Sequence, residues 1–250
     1  MKKLIAANWK MYKTMAEAED TLALLLALAP SMPPDREFVL FAPYTLLRAC
    51  TGKLAGRPGF SVGAQNVYPA AEGAFTGEIS PKMLLDSGCA SVLAGHSERR
   101  ALLMETSEFV GKKVAFSLAQ GLHVVLCIGE TLEERELGRL ASVLAEQLKL
   151  GLAGIPDDVA PERLAVAYEP VWAIGTGKVA GPREIVEAHA LVRRLLVARF
   201  PLQGASLRIL YGGSVKPENA QQILCLDNVD GVLVGGASLE AQSMHKIMLA

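Results

Sequence analysis

Three side chains in this 250-residue chain are of the kinds that move protons and steady charge beside a carbonyl: Glu169, His96 and Lys10. Glu169 ends the apolar stretch 164–168 and is followed at once by Pro170. A carboxylate at the mouth of an apolar strand is partly desolvated, which makes it a stronger base than one in water. His96 follows the stretch 91–95 and precedes Ser97-Glu98-Arg99-Arg100, which reads as a helix start. The positive potential of a helix N-terminus disfavours an imidazolium, so His96 is expected to act as a neutral donor. Lys10 stands two residues past Asn8, where the first apolar stretch stops. His123, His189 and His245 fall at a strand start or within helices and read as structural.

An anion cradle is also legible. Gly212-Gly213-Ser214 and Gly235-Gly236 end the last two apolar stretches. Backbone amides without a Cβ in the way can approach an anion closely, and a helix start after each turn adds its dipole. Between Glu169 and Gly181 the chain is too glycine-rich for a helix interior, yet it carries Val171, Trp172 and Ile174. A loop with apolar residues at its tip resembles a lid that closes over a ligand. Competing motifs fail. Gly175-Thr176-Gly177 lacks the third glycine of a dinucleotide fingerprint, and Gly177-Lys178 lacks the upstream glycine of a P-loop. There is no HExxH, no GxSxG and no acidic or histidine cluster at metal spacing. A base, a neutral electrophile, a cation, an anion cradle and a lid suit proton abstraction beside the carbonyl of a small phosphorylated substrate.

Each residue alone has an ordinary reading, since a Lys or Glu that ends a strand is most often merely solvated. What outweighs it is their common placement. Eight stretches rich in apolar residues recur, at 4–10, 38–43, 60–66, 91–97, 123–130, 164–170, 207–214 and 229–236, and most stop at polar or glycine residues. Several are apolar without alternation, as strands buried on both faces should be. Helical segments lie between them. Thr131-Leu132-Glu133-Glu134 reads as a capping box, and Ser80-Pro81, Gly181-Pro182 and Lys216-Pro217 read as further helix starts. Alternation of this kind predicts a parallel α/β sheet, open or closed into a (β/α)8 barrel, with the site at the carboxyl ends of the strands. Eight units with no leftover segment favour closure, and no linker divides residues 1–250, so one domain is expected.

Composition narrows the function classes. Hydrophobic residues make up 51% and charged residues 20%, too apolar for a disordered chain. The 25 basic and 26 acidic residues nearly cancel, leaving no electrostatic footprint for nucleic acid or an anionic membrane. Cys50, Cys89, Cys127 and Cys225 are scattered without CxxC spacing, which fits a reducing cytoplasm better than a disulfide scaffold. The first seven residues imitate a signal peptide, but Asn8 and Lys10 interrupt the apolar run.

Seven segments, in order, resemble the triosephosphate isomerase family over essentially the whole chain. They are Asn8-Trp9-Lys10-Met11, the stretch 73–80, Gly95-His96-Ser97-Glu98-Arg99-Arg100, the stretch 127–133, the stretch 167–177, Tyr211-Gly212-Gly213-Ser214-Val215 and Gly235-Gly236-Ala237-Ser238-Leu239. The resemblance implies a (β/α)8 barrel that interconverts dihydroxyacetone phosphate and glyceraldehyde 3-phosphate without metal or cofactor. It implies that Glu169 is the base, that His96 polarises the carbonyl and shuttles protons, and that Lys10 offsets charge. Asn8 would lend a hydrogen bond and Glu98 would position its neighbours. The phosphate would rest on Gly175, Ser214, Gly235 and Gly236. The lid would run through Pro170, Val171, Trp172, Ala173, Ile174, Gly175, Thr176, Gly177, Lys178, Val179 and Ala180. A homodimer is implied as well, with Gln65, Phe75 and Thr76 on the loop that meets the partner. Departures from the family pattern occur at Ala7, Tyr12, Val179 and Leu103-Met104-Glu105, none of them a catalytic position. Two other readings compete: another phosphosugar barrel enzyme, such as an epimerase or an aldolase-like protein, and a non-catalytic ligand-binding barrel. An aldolase would need a Schiff-base lysine or a metal set, and a binding barrel predicts decay of Glu169, His96 or Lys10.

Overall fold

A computed structural model of the chain describes residues 1–173 and 179–250. The first half runs β1 (Lys3–Asn8), α1 (Met15–Leu28), β2 (Arg36–Ala42), α2 (Leu47–Leu54), β3 (Phe60–Ala64), α3 (Pro81–Asp86) and β4 (Ser91–Ala94). Next come α4 (Ser97–Leu102), α5 (Ser107–Ala119), β5 (His123–Ile128), α6 (Leu132–Glu136) and α7 (Leu140–Gly151). The chain ends with β6 (Leu164–Tyr168), α8 (Pro182–Arg199), β7 (Arg208–Tyr211), α9 (Pro217–Leu224), β8 (Gly231–Val234) and α10 (Ala241–Leu249). All neighbouring strands are parallel, and β8 pairs back onto β1, with Leu4 opposite Gly231, to close the barrel. The sheet is therefore closed.

Continuous apolar runs are explained by two separate cores. Leu4, Ala6, Val39, Phe41, Leu93, Val125, Cys127, Ala165, Ala167, Leu210 and Leu233 pack inside the barrel. The residues between them, such as Ile5, Ala7, Val124, Leu126 and Val166, face outward into the layer beneath the helices. Alternate side chains thus enter different cores, and neither face is left for polar residues. Apart from β2, which begins earlier at Arg36, the strands are shorter than the apolar stretches that foretold them. Residues 212–214 and 235–236 leave the sheet as turns, because their glycines open the backbone rather than pair it.

The helix starts lie where the sequence places them. Thr131 Oγ1 accepts from the Glu134 amide at 3.3 Å while Glu134 Oε2 accepts from the Thr131 amide at 2.8 Å. Ser80 Oγ accepts from the Met83 amide at 3.4 Å, and Pro81, Pro182 and Pro217 occupy first-turn positions.

Two buried polar clusters brace the frame around the barrel mouth. Lys113, 1% exposed, donates to Asn66 Oδ1 at 2.7 Å and to Glu105, which also accepts from Arg99 Nε at 2.6 Å. This joins the β3 loop to α5. Glu105→Ala strands the Lys113 ammonium in the interior and is expected to cost about 3–5 kcal/mol of stability, measured by urea unfolding. The double variant Glu105→Leu with Lys113→Met should recover most of that loss, since the one charge it leaves without its carboxylate, Arg99, is 29% exposed and stays hydrated. Equal destabilisation of single and double variants would contradict the account.

His189, fully buried on α8, donates its Nδ1–H to the Asn228 carbonyl at 2.9 Å and packs edge-on against Tyr168. Burial pushes its pKa down to about 4. The unfolded chain then binds the extra proton first, so stability is complete above about pH 6.5 and falls as pH drops toward 4. The expected loss over that window is about 3 kcal/mol. Urea midpoints between pH 8 and pH 4 should fall more steeply for the parent chain than for His189→Gln. Parallel slopes would exclude His189 as the titrating group.

Candidate active site

β1 delivers Asn8 and, just beyond it, Lys10. The Asn8 side-chain oxygen accepts from the Lys10 amide at 3.0 Å and from Gln65 Nε2 at 3.2 Å. Gln65 Nε2 also reaches the Lys10 carbonyl at 2.9 Å and the Phe41 carbonyl at 3.1 Å. These bonds hold Lys10 in the left-handed region, with φ +52°. Its ammonium turns across the mouth to Glu98 Oε1 at 2.6 Å. Its stem lies against the bare backbone of Gly235, where a Cβ would come within 3.3 Å of Lys10 Cε.

Two residues past the end of β4 stands His96, the N-cap of α4 and 6% exposed. The Glu98 amide donates to His96 Nδ1 at 3.3 Å. An amide aimed at Nδ1 requires a lone pair there, so the ring carries its proton on Nε2. Nε2 lies 3.0 Å from Glu169 Oε1.

Glu169 projects from the end of β6 and is 1% exposed. Its carboxylate is seated by the Ser97 amide on Oε2 at 2.9 Å and by Ser97 Oγ on Oε1 at 3.4 Å. Bare backbone flanks it on both sides. A Cβ on Gly212 would stand 2.9 Å from Glu169 Cγ, and one on Gly129 would stand 1.7 Å from its carbonyl oxygen. Behind the carboxylate, burial and the negative charge of Glu169 push the Cys127 thiol well above its usual pKa.

The structure therefore gathers Asn8, Lys10, His96, Glu98 and Glu169 at one end of the barrel. Gly235 and Gly236 lie beside them, at the start of a short 3-10 turn (Gly236–Leu239) whose Ser238 Oγ donates to the Gly235 carbonyl at 2.7 Å. Ser214 lies in the neighbouring β7–α9 turn, its carbonyl accepting from Asn219 Nδ2 at 3.1 Å. Of the expected lid, Pro170, Val171, Trp172, Ala173, Val179 and Ala180 are described, whereas Ile174, Gly175, Thr176, Gly177 and Lys178 lie outside the described residues. Val171–Ala173 form a 3-10 turn, and Trp172 Nε1 donates to Glu130 Oε1 at 2.8 Å. Tyr168 Oη donates to the same oxygen at 3.0 Å. Glu130 is fully buried, and burial raises its carboxyl pKa. Ser97, Gln65 as the Lys10 support, and Glu130 were not read from the sequence in these roles. Their partners lie far away in the chain, and no local pattern announces them.

The family model for triosephosphate isomerase matches residues 3–250. The chain belongs to the triosephosphate isomerase family. It is 66% identical over 251 residues to a triosephosphate isomerase of Nitratidesulfovibrio vulgaris (strain DSM 19637 / Miyazaki F), covering 100% of both chains. Identity to the triosephosphate isomerase of Oleidesulfovibrio alaskensis is 60% over 250 residues, again with 100% coverage of both. The Aquifex aeolicus triosephosphate isomerase is more distant, 43% identical over 248 residues with 99% of each chain covered. Membership in the triosephosphate isomerase family makes this chain an isomerase and disfavours the binding-barrel and aldolase readings. It also accounts for a mouth in which the Glu98 and Glu169 carboxylates, the His96 imidazole and the Lys10 ammonium converge.

Proposed function

We propose that this isomerase interconverts dihydroxyacetone phosphate and glyceraldehyde 3-phosphate as one 1–250 domain, with Glu169 as base, His96 as electrophile and Lys10 as the charge-bearing group. The observation that carries the reading is the 3.0 Å approach of His96 Nε2 to Glu169 Oε1 in a mouth flanked by the Lys10 ammonium. A substrate carbonyl oxygen takes over the Nε2–H bond that Glu169 Oε1 accepts from His96, and the carboxylate turns from Ser97 toward the carbon beside that carbonyl. Glu169 removes one proton from this carbon. The electron pair moves into the new C=C bond, and the carbonyl oxygen gains charge opposite His96 and Lys10. His96 then passes a proton between the two enediolate oxygens. Glu169 returns its proton to the neighbouring carbon, so the reaction consumes neither an oxidant nor a cofactor. Asn8 and Glu98 orient Lys10. Amides of Gly175, Gly235 and Gly236, with Ser214, hold the phosphate, and residues 170–180 act as the lid.

A coupled assay with purified chain tests the reading. Isomerisation in both directions, unchanged by a chelator, is the expected result. No interconversion would overturn the function, and loss on chelation would overturn its independence of metal.

We read the active form as a cytoplasmic homodimer. The loops after β1, β3 and β4 lie at the same end of the barrel and expose Met11, Tyr12, Phe75, Leu102, Leu103 and Met104. Phe75 packs on Tyr68 of its own chain at 4.4 Å between ring centroids yet remains 42% exposed, and Thr76 beside it is exposed too. An isologous contact through this face would bury these groups and set Gln65, Phe75 and Thr76 near the partner's Asn8 and Lys10 turn. Sedimentation at micromolar concentration should give a dimer, and Thr76→Arg should yield a monomer with reduced turnover. A fully active monomer of the parent chain would refute the assembly.

A further inference from the structure

We propose that Arg100 is a positioning residue of this site, its half-buried guanidinium locking His96 and the end of β5, which pairs with the β6 end that carries Glu169, into one rigid frame. The inference rests on the isomerase reading above.

Arg100 lies on the last turn of α4, behind the mouth rather than in it. Three of its side-chain nitrogens donate to three separate acceptors. Nε reaches the Gly95 carbonyl at 2.7 Å, Nη1 reaches Ser107 Oγ at 3.0 Å, and Nη2 reaches the Cys127 carbonyl at 3.1 Å. The backbone amide of the same residue donates to the His96 carbonyl at 3.2 Å. One residue therefore holds the carbonyl on each side of the His96 Cα. With both flanking peptide planes fixed, the ring has only its own torsions left, and the Glu98 amide on Nδ1 restrains those.

The third contact extends the frame to the base. Cys127 precedes Ile128, and the Ile128 carbonyl accepts the Glu169 amide at 2.7 Å. Displacing the Cys127 carbonyl would displace the hydrogen-bonded edge from which Glu169 hangs. Gly95 is the complement of this arrangement. It has φ +73°, and a Cβ there would sit 2.8 Å from Arg100 Nη2 and 2.7 Å from Val110 Cγ1. The small residue before His96 makes room for the guanidinium. Burial lowers the proton affinity of Arg100, while Cys127, Glu169 and Glu105 oppose that effect. A planar fork with fixed donor directions can span three acceptors, which a single ammonium on a flexible stem cannot.

The test compares Arg100→Lys and Arg100→Met with the parent enzyme for thermal unfolding, kcat, KM and the NMR signal of the His96 Nε2 proton. Displacement of reacting groups by about 1 Å costs on the order of 100-fold, so kcat should fall about 10- to 100-fold in both variants. KM should change less than about threefold, because Arg100 touches no part of the substrate site, and the His96 signal should shift in both. Wild-type kcat in either folded variant would overturn the proposal, as would recovery by lysine alone, which would mark a charge effect instead of a geometric one. Should both variants fail to fold, Ser107→Ala decides. It frees Nη1 only, and a folded Ser107→Ala enzyme with lowered kcat, unchanged KM and a shifted His96 signal supports the frame. An unchanged kcat and signal there overturn it. An inactive parent enzyme would count against the isomerase reading, whereas an active parent with insensitive variants counts against Arg100 alone.

Discussion

Glu169→Asp is expected to lower kcat about 100-fold or more while leaving the fold and KM near those of the parent enzyme. One methylene fewer draws the carboxylate back toward β6 by about 1 Å, and misplacement on that scale costs on the order of 100-fold in rate. Relaxation of the frame cannot easily restore the reach. Gly212 already approaches Glu169 Cγ so closely that a Cβ would fall within 2.9 Å, and β6 is pinned between two cores. The shorter side chain removes no buried apolar surface of consequence, so circular dichroism and urea midpoints should change little. Steady-state kinetics in both directions provide the measurement. Near-parental turnover in the aspartate variant would remove Glu169 from the role of base.

Lys10→Met should be at least as damaging. Methionine preserves much of the stem that lies against Gly235 and deletes only the ammonium. Loss of one preorganised stabiliser of developing charge typically costs 100- to 1,000-fold, about 3–4 kcal/mol. Both the phosphate and the enediolate oxygen would lose their cation, so kcat/KM should fall by about that factor or more, with KM rising as well. The chain should still fold. Lys10 and Glu98 are partly exposed, at 25% and 44% of their side-chain surfaces, so the leftover carboxylate remains hydrated. The Gln65 bonds that hold this turn engage the backbone of residue 10 and survive the substitution. A methionine variant with kcat/KM within tenfold of the parent would show that other groups neutralise the substrate.

The barrel was legible in the sequence because its physics is local and repeated. A strand buried on both faces must read as a continuous apolar run, and it must end where the polar work begins. Asn8, His96 and Glu169 stood out for that reason, and the Thr131 capping box needed only four consecutive residues. Closure was less legible, because an open sheet uses the same periodicity. Eight units with no leftover segment favoured it, and family resemblance decided it. The supports of the site were hidden for a different reason. Ser97 and Glu169 are 72 residues apart, and Gln65 and Asn8 are 57 apart, so no spacing rule links them. Gln65 stood out only as a residue of an interface loop, although its amide holds the turn that aims Lys10. Arg100 stood out only as part of a helix start and a family-like segment, and its three side-chain contacts came from packing that composition does not encode.

The left-handed turn at Lys10 has a consequence for engineering. A non-glycine residue at φ +52° carries strain of about 1–3 kcal/mol, held in place by Gln65 and Asn8. Glycine would occupy the same backbone without that penalty. A directed-evolution campaign scored on melting temperature alone would therefore reward glycine at position 10, while one scored on turnover would reject it. The two selections oppose each other at this codon, and libraries meant to yield a hardier catalyst should hold it fixed.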